Sequence, residues 1–211
     1  MSSASLSKMT VPIGGAGGDT AQGLLMPKLK YRFRVFFENF GPAGSATPVT
    51  ELTKQVVSFA RPSLTFEEIT LPIYNSTLKL AGKHSWADTT CSVRDDAGGN
   101  VSKLIGQQLQ KQMDFLEMSS ASSGIDYKFT TKVEVLDGGN GNNAPVVLET
   151  WELYGCYLKS ANYGDLNYGT NEAATIEMGI AYDNANQTPE GTGVGSDVGR
   201  TLGDVVTGAG L

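Results

Sequence analysis

Between residues 29 and 183 the chain repeats one local signal: short runs alternating apolar and polar side chains, cut by clusters of Gly, Pro, Asn and Asp. Alternation with a period of two sets one face of a strand against a core and the other toward water. Tyr31–Glu38 opposes Phe33, Val35 and Phe37 to Arg32, Arg34 and Phe36. Further strand-like runs follow at Thr53–Ala60, Leu64–Leu71, Thr77–Ala81, Ser85–Arg94, Tyr127–Leu136, Val146–Lys159 and Ala173–Asp183. Their separators are turn formers: Arg61-Pro62-Ser63, Pro72, Asn75-Ser76, Gly82 and the stretches 95–100, 137–143 and 164–169. Many short strands joined by such turns predict a mainly β, antiparallel sandwich or barrel.

One segment breaks the pattern. Val101, Leu104, Ile105, Leu109, Met113 and Leu116 recur at steps of three and four after Asn100, a residue type that caps helices. This predicts a single helix over about 100–117 whose apolar stripe packs on the sheet. Gly106 inside it weakens it by about 1 kcal/mol relative to Ala, so the helix is expected to depend on that packing.

The strand phases assign faces. In the last strand Ala174, Ile176, Met178, Ile180 and Tyr182 form an apolar face opposite Thr175, Glu177, Gly179 and Ala181. In Ser85–Arg94 the polar phase is Asp88, Thr90, Ser92 and Arg94, with Cys91 turned to the core. In Val146–Lys159, Trp151 and Leu153 read as core, which turns Glu152, Tyr154 and Cys156 to the opposite face. On these phases Cys91 and Cys156 cannot bridge within one chain; a bond between subunits stays open.

The chain divides into a patterned zone, 29–183, and two Gly- and Ser-rich extensions, 1–28 and 184–211. Ordering such ends costs about 1–2 kcal/mol per residue in backbone entropy. Neighbouring copies in an assembly could offset that by burying Leu6, Met9, Val11, Ile13, Leu24 and Leu25 at one end. Val194, Val198, Leu202, Val205 and Val206 serve the same purpose at the other.

Reactive chemistry is not assembled. The single histidine, His84, lies in a turn-like stretch, and a Ser or Cys nucleophile needs a base within reach. Two cysteines and one histidine do not make a zinc site. The stretch 95–100 lacks the alternating ligands and closing Glu of a calcium loop, and reads as a turn plus helix cap. The Gly-rich stretch 14–18 has neither the preceding strand nor the following Lys of a phosphate cradle. Glu67 and Glu68 point to opposite faces of a strand. No enzymatic role and no cofactor is expected. The formal charge of −6 and the absence of any basic run argue against gripping nucleic acid, though not against nucleic acid passing by. No secretory leader and no membrane-spanning apolar run is visible, so a soluble protein made in a cytoplasm, with no membrane partner, is expected.

Two stretches carry a resemblance. Pro62–Asp96, PSLTFEEITLPIYNSTLKLAGKHSWADTTCSVRDD, and Leu148–Asp183, LETWELYGCYLKSANYGDLNYGTNEAATIEMGIAYD, resemble the tail tube proteins of contractile-tailed phages in order and pattern. The markers of the second stretch are Trp151, Gly155, Gly164 and the closing Tyr182-Asp183. The resemblance implies a β-sandwich or half-barrel with one flanking helix and extended terminal arms. It implies six-membered rings stacked into a tube in a virion tail, with a sheath protein outside. A baseplate hub and a tail terminator would meet its ends, a tape measure protein would fill the lumen, and DNA would cross it without specific binding. Against that frame Asp88, Thr90, Ser92, Glu152, Thr175 and Glu177 are expected to face the lumen, where acidic copies would repel phosphate. Asn75, Leu78, Lys79, Leu80, Lys83 and His84 are expected on a hairpin reaching between subunits. Related tubes of bacteriocins and secretion systems share the pattern. A β-sandwich binding module, using Tyr157, Tyr163 and Tyr168, is the other reading.

Overall fold

A computed structural model of the chain describes residues 28–42, 49–137 and 145–188. The apolar residues named above within the two end segments, and most of the 137–143 turn, lie outside the described residues. The protein is mainly β. The described elements, in order, are β1 (Phe33–Glu38), α1 (Thr50–Gln55), β2 (Val56–Phe59), β3 (Ser63–Ile73), β4 (Ser76–Ala87), β5 (Thr89–Arg94) and α2 (Asn100–Gln112). There follow β6 (Met113–Asp114), β7 (Ser119–Ser120), α3 (Gly124–Tyr127), β8 (Phe129–Leu136), β9 (Val147–Asn162), β10 (Thr175–Ala181) and β11 (Asn184–Thr188).

All described pairings are antiparallel, and the main sheet runs β1-β8-β9-β10-β5-β2 with β11 also on β9. β9 is 16 residues long and serves two neighbours along one edge, β11 opposite its first half and β10 opposite its second. Inner residues from both ends of the strand order, Val35 and Phe37 of β1 and Cys91 and Val93 of β5, share one buried cluster with Leu153, Met178 and Ile180. The sheet therefore curls around its core as a half-barrel. Phe37, Phe40 and Phe129 meet at centroid distances of 5.0 to 6.4 Å. Each such ring, fully buried, contributes about 1.5–3 kcal/mol.

Gly155 makes the long strand workable. It takes φ +67, and a Cβ there would lie 2.1 Å from Asp183 Oδ2. The bulge inserts one residue, so Cys156 and Leu158 follow Trp151 and Leu153 into the core. This corrects the expectation that Cys156 lies on the face opposite Trp151: simple alternation fails where a left-handed glycine adds a residue.

Four other expectations change. The run 53–60 begins as helix α1, because Leu52 drops fully buried into the core and local β propensity yields to that burial. Gly82 does not separate strands; its missing Cβ, which would sit 2.9 Å from the Glu67 carbonyl, lets β4 run through to Ala87, and the break falls at Asp88. The N-cap of α2 is Gly99, not Asn100, and the capping acceptor is Asp96, whose Oδ1 accepts from Val101 N at 2.9 Å across the Gly98-Gly99 turn. The helix stops at Gln112 because Asp114 Oδ1 accepts from Leu116 N and folds the chain into a turn. Leu116, counted in the apolar stripe, is thus left exposed.

Side-chain amides fasten α2 to the sheet. β8 pairs with β9 only as far as Cys156, which leaves the Leu158 backbone without a strand partner on that side. Gln112 fills the gap, donating to Leu158 O at 2.9 Å and accepting from Leu158 N at 3.0 Å. Buried Gln108 accepts from Gly41 N and donates to Tyr127 O.

Two glycines should respond in opposite directions. Gly155→Ala is expected to lose about 1–3 kcal/mol. Gly106→Ala, in open space within α2, should gain about 0.5–1 kcal/mol. Urea unfolding monitored by circular dichroism measures both.

Candidate functional site

β3 and β4 form a two-stranded sheet of their own, joined by Tyr74 and Asn75. Among the described residues only its root is anchored: Trp86 packs on the core and its ring lies 5.7 Å from that of Tyr182. Beyond the root both faces are open. The register pairs Ile69 with Leu80 and Leu71 with Leu78, so these side chains and Ile73 lie on one face. Their exposures run from 42% to 54%. The other face is polar, with Glu68 and Lys79 paired at 3.0 Å. At the tip Tyr74 is 99% exposed and takes φ +43, an unusual conformation for a bulky residue.

All six hairpin residues expected from sequence, Asn75, Leu78, Lys79, Leu80, Lys83 and His84, sit on this arm and are exposed. The sequence reading missed the β3 half of the apolar face: Ile69, Leu71 and Ile73. Their odd-numbered alternation was present in the run 64–73 and could have found them.

The outer face of the main sheet is polar. Ser92 lies opposite Glu177, Thr175 opposite Arg94 and Thr90 opposite Gly179. These four expected lumen residues, Thr90, Ser92, Thr175 and Glu177, share one patch. Asp88 stands at the β4–β5 break, ion-paired with Lys159. Glu152 lies apart, before the Gly155 bulge, in a ladder of charge. Arg34 pairs with Glu134 at 2.5 Å, and Lys132 bridges Glu134 and Glu152 at 3.5 and 3.6 Å. None of the six is in the core.

On β9, opposite Val135 of β8, Glu149 is buried. It accepts from Trp151 Nε1 at 2.5 Å and Gln187 Nε2 at 2.8 Å, and pairs with Lys28. Burial opposes its charge, but the bonds from Lys28, Trp151 and Gln187 outweigh burial and hold the carboxyl below its usual range.

Both cysteines are free and fully buried. Burial pushes Cys91 up to about 12 and Cys156 up to about 11. A thiol buried in the subunit core is not placed to bond a neighbour, which answers the question the sequence left open. Among the described residues no group of three His, Cys, Asp or Glu side chains could hold a metal, and no helix is long and apolar enough to cross a membrane. Tyr163 and Tyr168 are exposed on the β9–β10 loop, whereas Tyr157 packs edge-on against Tyr127 at 6.4 Å.

No family model matches the chain and no curated protein matches it in sequence. Solved structures do match. A chain of the 6-fold symmetrised anti-feeding prophage baseplate superposes with a TM-score of 0.59 at 14% identity, covering 78% of this chain and 97% of that one. A chain of the anti-feeding prophage tube-terminating cap gives 0.56 at 15% identity, covering 79% and 93%. A chain of the sheath/tube terminator of PVC, an extracellular contractile injection system, gives 0.55 at 13% identity, covering 79% and 99%. The protein is tail-tube-like in fold.

The Glu149 cluster generates a pH dependence. Its folded pKa lies below the unfolded one, so its stabilisation is complete above the ordinary carboxylate range. It is lost as pH falls through the folded value. Glu149→Gln should therefore cost about 1 kcal/mol at pH 7, with the gap to the parent closing in acid. Denaturant titrations from pH 7 down to the onset of acid unfolding measure it.

Proposed function

We propose that the protein is a structural subunit of a contractile tail tube, without enzymatic activity. Six copies form a ring, rings stack, a sheath lies outside and a terminator and baseplate meet the ends. The observation that carries this reading is the β3–β4 arm: an apolar face of Ile69, Leu71, Ile73, Leu78 and Leu80 that no described element of its own chain covers. A lone soluble domain gains nothing from holding such a face in water, whereas a neighbouring subunit can bury it. The polar outer sheet face suits a lumen, with Asp88, Thr90, Ser92, Glu152, Thr175 and Glu177 on its wall. A net charge of −6 per copy disfavours retention of a polyanion, so DNA, following a tape measure protein, can pass without binding.

A second reading is that the tube belongs to an extracellular injection system and not to a phage virion. The likeness to chains of the anti-feeding prophage and PVC particles favours it. The subunit chemistry is the same in both readings; the cargo differs.

Negative-stain microscopy of the purified protein should show six-fold rings or tubes, and monodisperse monomers at high concentration would overturn the proposal. Leu71→Asp combined with Leu80→Asp should abolish tube growth while circular dichroism stays unchanged, since neither side chain belongs to the subunit core. Tubes forming normally in that variant would rule out the arm as the contact.

A further inference from the structure

Among the described residues the half-barrel does not close. Its sheet ends at β1 on one side and β2 on the other, and a groove of about 270 Å³ opens between them. Its floor is apolar: half-buried Phe33 and Phe59 beside the buried Val133 and Val135. Its rim is basic: Lys30, Arg32 and Arg61. Among the described residues none of these three cations has a carboxylate partner. Lys28, also on the rim, is already neutralised by Glu149. A second hollow carries the groove along β2 to Arg94. The volume is below the roughly 300–1,000 Å³ of small-molecule sites and suits aliphatic side chains of a peptide.

We propose that this groove is the docking site for the chain's own segment 190–206, which would fill the apolar floor and neutralise the rim. Position supports it. β11 ends at Thr188, whose partner on β9 is Thr150, the residue after Glu149. Glu149 pairs with Val135, and Val135 with Phe33, which also lines the groove. The chain thus leaves the sheet three strands from the groove, on the same cross-strand row. Three strand spacings are about 14 Å, a distance that roughly five extended residues span.

Charge selects the same segment. Residues 1–27 hold one Lys and one Asp, and 43–48 and 138–144 hold no charge. Residues 189–211 hold Glu190, Asp197 and Asp204 against Arg200 alone. Val198 directly follows Asp197 and Val205 directly follows Asp204. A carboxylate beside an aliphatic side chain is what a basic rim over an apolar floor would bind.

Hydrogen exchange of the full-length chain tests this. Backbone amides between Val194 and Val206 should exchange at least about tenfold more slowly than an unprotected peptide, independently of protein concentration. Lys30→Glu with Arg61→Glu should remove that protection while amides of β9 and β10 keep theirs. Asp197→Lys with Asp204→Lys, outside the described fold, should remove it too, and combining both pairs should restore it in part. The proposal is overturned if these amides are unprotected in the parent, or if neither charge reversal changes them. Protection appearing only at concentrations where copies associate would assign the groove to a neighbour's segment and equally overturn the docking within one chain.

Discussion

One strand holds the two halves of this half-barrel together, and one residue lets it do so. β9 pairs with β8 along one edge and with β11 and then β10 along the other. A regular strand of that length would carry its core side chains to the wrong face wherever the sheet bends. Gly155, at φ +67 with the Asp183 carboxylate in the space a Cβ would fill, absorbs the extra residue. Lys128 then holds Asp183 at 2.5 Å. From this point the core phase resumes with Cys156 and Leu158. The position of β10, and through it β5 and β2, follows.

The curled sheet leaves polar backbone exposed where a strand stops short, and the helix answers that need as much as it covers apolar surface. Gln112 reads both backbone groups of Leu158, and Gln108 joins the Gly41 turn to the end of α3. These amides fix the helix in register on the sheet, which an apolar stripe alone does only loosely. Among the described residues the β3–β4 arm has no such ties beyond its root. Its geometry is maintained by its own ladder, so its apolar face is available to another molecule without any rearrangement of the core.

The surface thus separates by chemistry: an apolar arm, a polar sheet face and a basic slot with an apolar floor. The paired ladder from Arg34 to Glu152 presents little net field, while Lys30, Arg32 and Arg61 line the β1–β2 gap with no carboxylate partner among the described residues. For a chain of net charge −6, that concentration of positive charge sets the slot apart from the rest of the surface.

Local pattern in the sequence determined the class of fold, most strands and the helix. Period-two alternation and turn residues act over a few positions. Only the tertiary structure decided that residues 50–55 are helical, that 184–188 add a strand beside Tyr154, that Asp96 caps α2 and that Cys156 is core. Each depends on a partner distant in sequence or on a backbone state that alternation does not encode: Leu52 filling the core, β9 offering an edge, Asp183 occupying the space beside Gly155. A strand's phase is local, but what bends it belongs to the residue it meets across the sheet.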